Sequence, residues 1–403
     1  MTQLTYSQTK NDAILFQFIA FLMGITTIFA TREISPTWAG RMQYVMFPLI
    51  FVWFHFMRNY TLRPVAIIYC LALLLGFLFH NISGSTEKEA DFRAILFTRY
   101  LTVYVLAMFF YLQRPIRFIQ IFVLLFFIAE CAISIYERVE MTHVISYSND
   151  LLEGFLDVTS SQEFRSFSLM FHPLYNANTV SIGMAFVLCA RGWKFIYKLL
   201  FFALGLAALW GFNSRGAFLV WAVILLFRCT LYNARWWKIL IAVIILYFGI
   251  PILFDWLLVS GLLGRLEGLD FSDASTGTRL IALDVFLNQR WNLEDILFGG
   301  RMITYSGVKT TLENGVLLDL GYWGLIIGPV KIICEVLISY YALRYYALRD
   351  KVIILLATWG VAFMNNNSFN AWPLAMFALF CMTFTNKQQQ PEEVEEQYTC
   401  SKE

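Results

Sequence analysis

Apolar runs close to the length of a bilayer crossing recur along the whole chain, and nothing else in it constrains the fold as strongly. Crossing the hydrocarbon core takes about 20 predominantly apolar residues in a helix. The backbone there must satisfy its own hydrogen bonds, which for such runs means α-helix. The runs predict an all-α polytopic membrane protein with about twelve transmembrane helices. They lie near residues 13–30, 42–57, 64–80, 95–112, 116–135, 178–190, 195–212, 217–231, 239–259, 316–341, 352–364 and 369–384. The sixth can begin earlier, near Ser166. At 59% hydrophobic and 14% charged, the chain is too apolar for a soluble core to absorb these runs. The first run follows a polar start and lacks a small-residue cleavage signal, so it reads as a retained helix.

Basic residues set the expected orientation. Arg58 and Arg63, Arg114 and Arg117, the Arg191–Lys198 group, Arg228 to Lys238, and Arg344 to Lys351 fall on the side of the N-terminus. That side is taken as cytoplasmic, with both termini there. The transmembrane domain is expected over 1–386, with its largest outer segment, a loop, at 260–312. The polar tail 387–403 reads as a disordered cytoplasmic extension. A surface-lying amphipathic helix is expected at 278–288, and a tight turn at Phe298-Gly299-Gly300-Arg301. The seven cysteines are scattered singly, as packing residues are. A net charge of +2 without a basic tract points to no nucleic-acid partner.

The outer face then carries a set of arginines on separate segments: Arg165, Arg215, Arg279, Arg290 and Arg301. A guanidinium fork matches phosphate through paired, charge-assisted hydrogen bonds. Arg215 stands out because it tips a minimal turn, Asn213-Ser214-Arg215-Gly216, between two apolar helices. Pairing with local acids or lipid headgroups is the plainer role for any of these arginines. Glu313-Asn314, where the long loop re-enters the membrane, fits either a general base or a helix cap. His172, before Pro173, fits either a base or a structural role. Asp270 and Asp273 lack a third ligand, so no metal site is expected, nor any cofactor. Lys331 and Glu335 read as a neutralising pair inside the tenth span, and Glu130 and Arg99 as another across the fourth and fifth spans.

Four stretches together resemble the bacterial O-antigen polymerase and O-antigen ligase superfamily of polytopic inner-membrane glycosyltransferases. They are Arg165 to Asn178, Asn213-Ser-Arg-Gly216, Thr278-Arg279 running to Leu297-Phe-Gly-Gly-Arg301, and Glu313 to Gly324. The resemblance implies that Arg215 and Arg279 contact the pyrophosphate of an undecaprenyl-linked glycan donor, with Arg165 a third contact. It implies catalytic roles for Arg215, Arg279 and Glu313. Substrate-binding roles fall to Arg165, His172, Asn213, Ser214, Arg290, Arg301 and Asn314. Ligases of this family open the loop-closing segment with a histidine. Here Glu313-Asn314 occupies that place, which favours a polymerase over a ligase. The implied setting is the bacterial inner membrane with a periplasmic active site. The implied partners are the lipid bilayer, the undecaprenyl-pyrophosphate-linked oligosaccharide and a chain-length regulator protein. A secondary transporter is a competing reading from a different class. The lopsided outer loop and the absence of visible inverted repeats weigh against it.

Overall fold

The structure, a computed structural model, describes residues 63–82, 117–144, 164–170, 172–231, 284, 287–288, 293–299, 314–344, 346–365 and 372–384. Among these residues the regular structure is entirely helical. The helices are α1 (Arg63–Ile82), α2 (Arg117–Glu140), α3 (Pro173–Cys189), α4 (Phe195–Phe212) and α5 (Arg215–Leu231), then the short α6 (Leu293–Phe298) and α7 (Gly315–Ala342). A composite rod follows: α8 (Leu348–Leu355), a π-helical turn (Leu356–Gly360) and α9 (Val361–Met364). The last is α10 (Trp372–Phe384). The expected spans at 13–30, 42–57, 95–112 and 239–259, the tail 387–403 and most of the loop 260–312 lie outside the described residues.

Among the described residues three helical stretches are, by length and composition, long and apolar enough to cross a membrane: Gln120–Glu140 within α2, Phe195–Phe212 and Gly315–Ala342. Their apolar side chains are turned outward as well as inward. On α4, Phe195, Ile196, Leu199 and Leu200 are exposed, and on α2 so are Phe118, Ile121 and Leu125. Outward apolar faces of this extent suit lipid rather than water.

At the centre stands α3. Nearly every residue of α3 from Pro173 to Cys189 is buried, the polar Asn176, Asn178, Thr179 and Ser181 included. It starts at Pro173 because proline fits the first helical position, where its missing N–H is not needed. The sixth span therefore begins before residue 178, as the alternative start allowed. Around α3 pack α2, α4, α5, α10 and the composite rod. A carbonyl of the π turn that already takes Val361 N also meets α3. Asn178 Nδ2 of α3 donates to that carbonyl, Thr358 O, at 2.9 Å. Ser134 Oγ of α2 donates to Ala208 O of α4 at 3.0 Å, across a contact kept close by small residues.

The tenth span departs from expectation. It is not one rod, because Gly324 sits at φ 75°, ψ 174°, inside the stretch from Gly315 to Ala342. Only glycine populates that region readily. The chain folds back there. Lys331 Nζ lies 2.9 Å from Asp319 Oδ1, whereas twelve residues of straight helix would separate them by about 18 Å. A short arm, from Gly315 to Trp323, thus packs against the longer arm after Gly324.

Candidate active site

The turn that carries Arg215 is built by two helix ends. Asn213 closes α4 in the left-handed conformation (φ 52°, ψ 43°), its N–H bonded to Trp210 O at 3.0 Å. Asparagine tolerates this conformation, a common way to end a helix. Ser214 O accepts from Phe218 N at 3.2 Å, so α5 begins at once and Arg215 is its first residue. Arg215 is half-buried, and Ser214 is buried.

Against this turn lies the segment Phe164 to Met170. Ser166 N donates to Gly211 O at 3.0 Å, which sets Arg165 beside the last turn of α4. The segment has no regular structure, so its polar groups need partners from elsewhere. The end of α2 supplies them. Glu137 accepts from Ser166 Oγ at 2.6 Å, Phe167 N at 2.8 Å and Ser168 N at 3.0 Å through one carboxylate oxygen. Its other oxygen accepts from Val144 N at 2.9 Å. Arg138 donates to Phe164 O and lies over the Trp210 ring, 5.3 Å from its centroid. Ser168 Oγ donates to Glu130 O at 2.9 Å, and Leu169 N to Glu130 Oε2 at 3.2 Å. Asn176 Nδ2 of α3 donates to Phe167 O at 2.6 Å.

Sequence reasoning missed this framework. It gave no role to Glu137 and Arg138, yet both are buried in α2. It assigned nothing to His143, which stacks on Phe164 at 4.9 Å and approaches Glu137 to 3.8 Å. The available signal was an acid and a base in the last turn of an apolar helix, where solvation alone does not explain them.

His172 is the N-cap of α3. Its Nδ1 accepts from Leu174 N at 3.2 Å, which fixes the ring in a structural role at that nitrogen. Asn314 is the N-cap of α7, with Oδ1 accepting from Leu317 N at 3.1 Å. Arg279, Arg290, Arg301 and Glu313 lie outside the described residues. The structure therefore brings together the segments of Arg165, Asn213, Ser214 and Arg215.

The folded-back α7 forms a second polar centre. Lys331, fully buried, reaches Asp319 at 2.9 Å and Glu335 at 3.4 Å. Tyr69 of α1 donates to Glu335 Oε1 at 3.0 Å. The expected Lys331–Glu335 pair is thus part of a larger cluster in which Asp319 is the nearer partner. Trp359 Nε1 of the π turn donates to Ser339 Oγ at 3.1 Å, and Ser339 Oγ to Glu335 O at 2.9 Å. Against the break, Gly299 (φ 72°) follows α6 and abuts Tyr322 and Gly324 so closely that a Cβ would overlap the Tyr322 carbonyl. Gly299, within the stretch expected as the long loop, is thus seated on the fold of α7.

Two guanidinium-bearing segments, hydroxyls and amides at one end of an apolar bundle make an environment suited to an anion. No protein-family model matches the chain, and no curated protein is similar to it.

Proposed function

We propose that this chain is a polytopic glycosyltransferase of the periplasmic face, an O-antigen or exopolysaccharide polymerase. It transfers a glycan from undecaprenyl pyrophosphate onto the next lipid-linked repeat unit. The observation that supports this most is the docking of the Arg165 segment on the last turn of α4, through Ser166 N and Gly211 O, beside the Arg215 turn. Two arginine-bearing segments packed together at a bundle end suit a pyrophosphate better than a single headgroup.

In this reading an acceptor hydroxyl attacks the donor's anomeric carbon as the bond from that carbon to the pyrophosphate oxygen breaks. The electron pair leaves with the pyrophosphate, and the hydroxyl proton goes to a base, for which Glu313 is the candidate. Arg215, Arg279 and Arg165 stabilise the charge where it develops. His172, Asn213, Ser214, Arg290, Arg301 and Asn314 line the donor and acceptor. A single displacement inverts the anomeric centre.

Replacing Arg215 with Ala, and separately with Lys, tests the reading on the cell's surface polysaccharide. Long chains should disappear in Arg215→Ala and fall sharply in Arg215→Lys, because ammonium lacks the planar fork. Normal expression with undiminished chain length in both variants would sink it. Deleting the gene separates polymerase from ligase: a polymerase deletion still attaches one repeat unit, a ligase deletion none.

The secondary-transporter reading draws on one observation of its own, the broken α7 with its buried Asp319–Lys331–Glu335 cluster. Broken helices and intramembrane charges mark many transport sites. Solute uptake by vesicles, driven by a proton or sodium gradient, would favour it.

A further inference from the structure

Ser214 holds the N-cap position of α5, since its carbonyl takes the first intrahelical bond, from Phe218 N. A serine there ordinarily turns its hydroxyl onto an N–H of the first turn. Ser214 does not: its Oγ is buried, in a residue 2% exposed, and has no hydrogen-bond partner. A buried polar group left this way costs about 1–3 kcal/mol unless something joins it.

The second observation comes from another element. Asn365, just past α9, is 5% exposed, and its Nδ2 likewise has no partner. Its Oδ1 lies 3.4 Å from the point a Cβ on Gly216 would occupy, so this amide sits against the first turn of α5. Met364 Cβ is at 3.2 Å from the same point, and the absence of a side chain at Gly216 permits the approach. Both orphan groups are donors. Both side chains border the first turn of α5, Ser214 as the preceding residue and the Asn365 amide through its approach to Gly216, at the helix end that carries about half a positive charge. Donors at a positive helix end call for an anionic acceptor, and phosphate is one of the anions helix N-termini hold.

We propose that the first turn of α5, the Ser214 hydroxyl and the Asn365 amide form a binding niche for a phosphate oxyanion. Asn365 thereby joins the arginines as a ligand contact. The niche rests on the glycosyltransferase reading only for the source of the phosphate, a polyprenyl pyrophosphate rather than a phospholipid headgroup.

The test uses the full chain in phosphatidylcholine nanodiscs, with undecaprenyl pyrophosphate as the probe. Asn365→Asp keeps the side chain's size and replaces its donor with a carboxylate. Binding should weaken by about tenfold or more in Asn365→Asp, and by less in Asn365→Ala, which removes the donor without adding repulsion. Thermal unfolding of both variants checks that each is folded, and the Ala variant decides if the Asp variant is not. Unchanged affinity in a folded Asn365→Ala overturns the niche. Equal competition by phosphatidylglycerol, lost in the same variants, keeps the niche and overturns the pyrophosphate assignment. Asn365-dependent binding by a chain that shows no glycan transfer supports the niche while the proposed reaction fails.

Discussion

The carboxylate of Glu137 does for the Phe164–Met170 segment what a neighbouring strand would do for an edge. It takes Ser166 Oγ and the N–H groups of Phe167 and Ser168, which would otherwise be buried without acceptors. Removing it should therefore cost more than removing any one donor. Glu137→Ala is expected to destabilise the protein by about 3 kcal/mol or more, and Ser166→Ala by about 1–2 kcal/mol. Thermal unfolding of purified protein in detergent gives both values, and equal losses would show that the segment is held some other way. None of this was legible locally. Glu137 sits just past the apolar stretch 116–135, where a charged residue normally marks a helix end in water. Its partners in that segment, Ser166, Phe167 and Ser168, follow it by 29, 30 and 31 positions, and no spacing rule connects them. His172 was legible in part: a histidine before a proline at a helix start suggested a structural role, and the N-cap bond to Leu174 N fills it.

At the scale of elements, helix existence followed from apolar run length and helix breaks did not. The span expected at 195–212 coincides with α4, and that at 217–231 starts two residues late because Arg215 and Gly216 are polar or neutral yet helical. The fold of α7 was invisible because Gly321, Gly324 and Gly328 sit in the uncharged stretch 320–330, and a transmembrane helix tolerates glycine well. What separates Gly324 is its conformation, which the sequence does not display. The seat of α6 against that break is testable. Gly299 and Gly192 have similar positive φ, 72° and 79°, but a Cβ meets the Tyr322 carbonyl at the first and nothing within 4 Å at the second. Gly192→Ala should cost about 1 kcal/mol, the backbone penalty alone. Gly299→Ala should cost about 2–4 kcal/mol, since overlap is added to strain. Thermal midpoints of the two variants decide it, and equal shifts would mean that α6 is free to move away.

For the whole molecule, the expected topology assigns the ends of the bundle to opposite sides of the membrane. Thr142, exposed after α2, lies at the end that carries the Arg165 segment. Arg191, exposed between α3 and α4, lies at the far end of α3. Cysteine placed at Thr142 should react with a membrane-impermeant maleimide while the membrane that holds the protein is intact. Cysteine at Arg191 should react only after that membrane is opened. The opposite pattern would reverse the orientation and move the proposed chemistry to the cytoplasm.

By itself the sequence determined that this chain is helical and suited to a bilayer, because both follow from local quantities: the length of apolar runs and the need to close every backbone hydrogen bond within a segment. It also singled out Arg215, since a lone cation in a minimal turn between apolar helices is visible without any contact map. Only the tertiary structure decided that the Arg165 segment is docked beside that turn, that Lys331 answers Asp319 across a fold in α7, and that Ser214 and Asn365 are buried with a polar atom unclaimed on each. These depend on which buried polar group meets which partner. That pairing is a property of helix packing, and packing joins residues whose separation along the chain carries no trace of it.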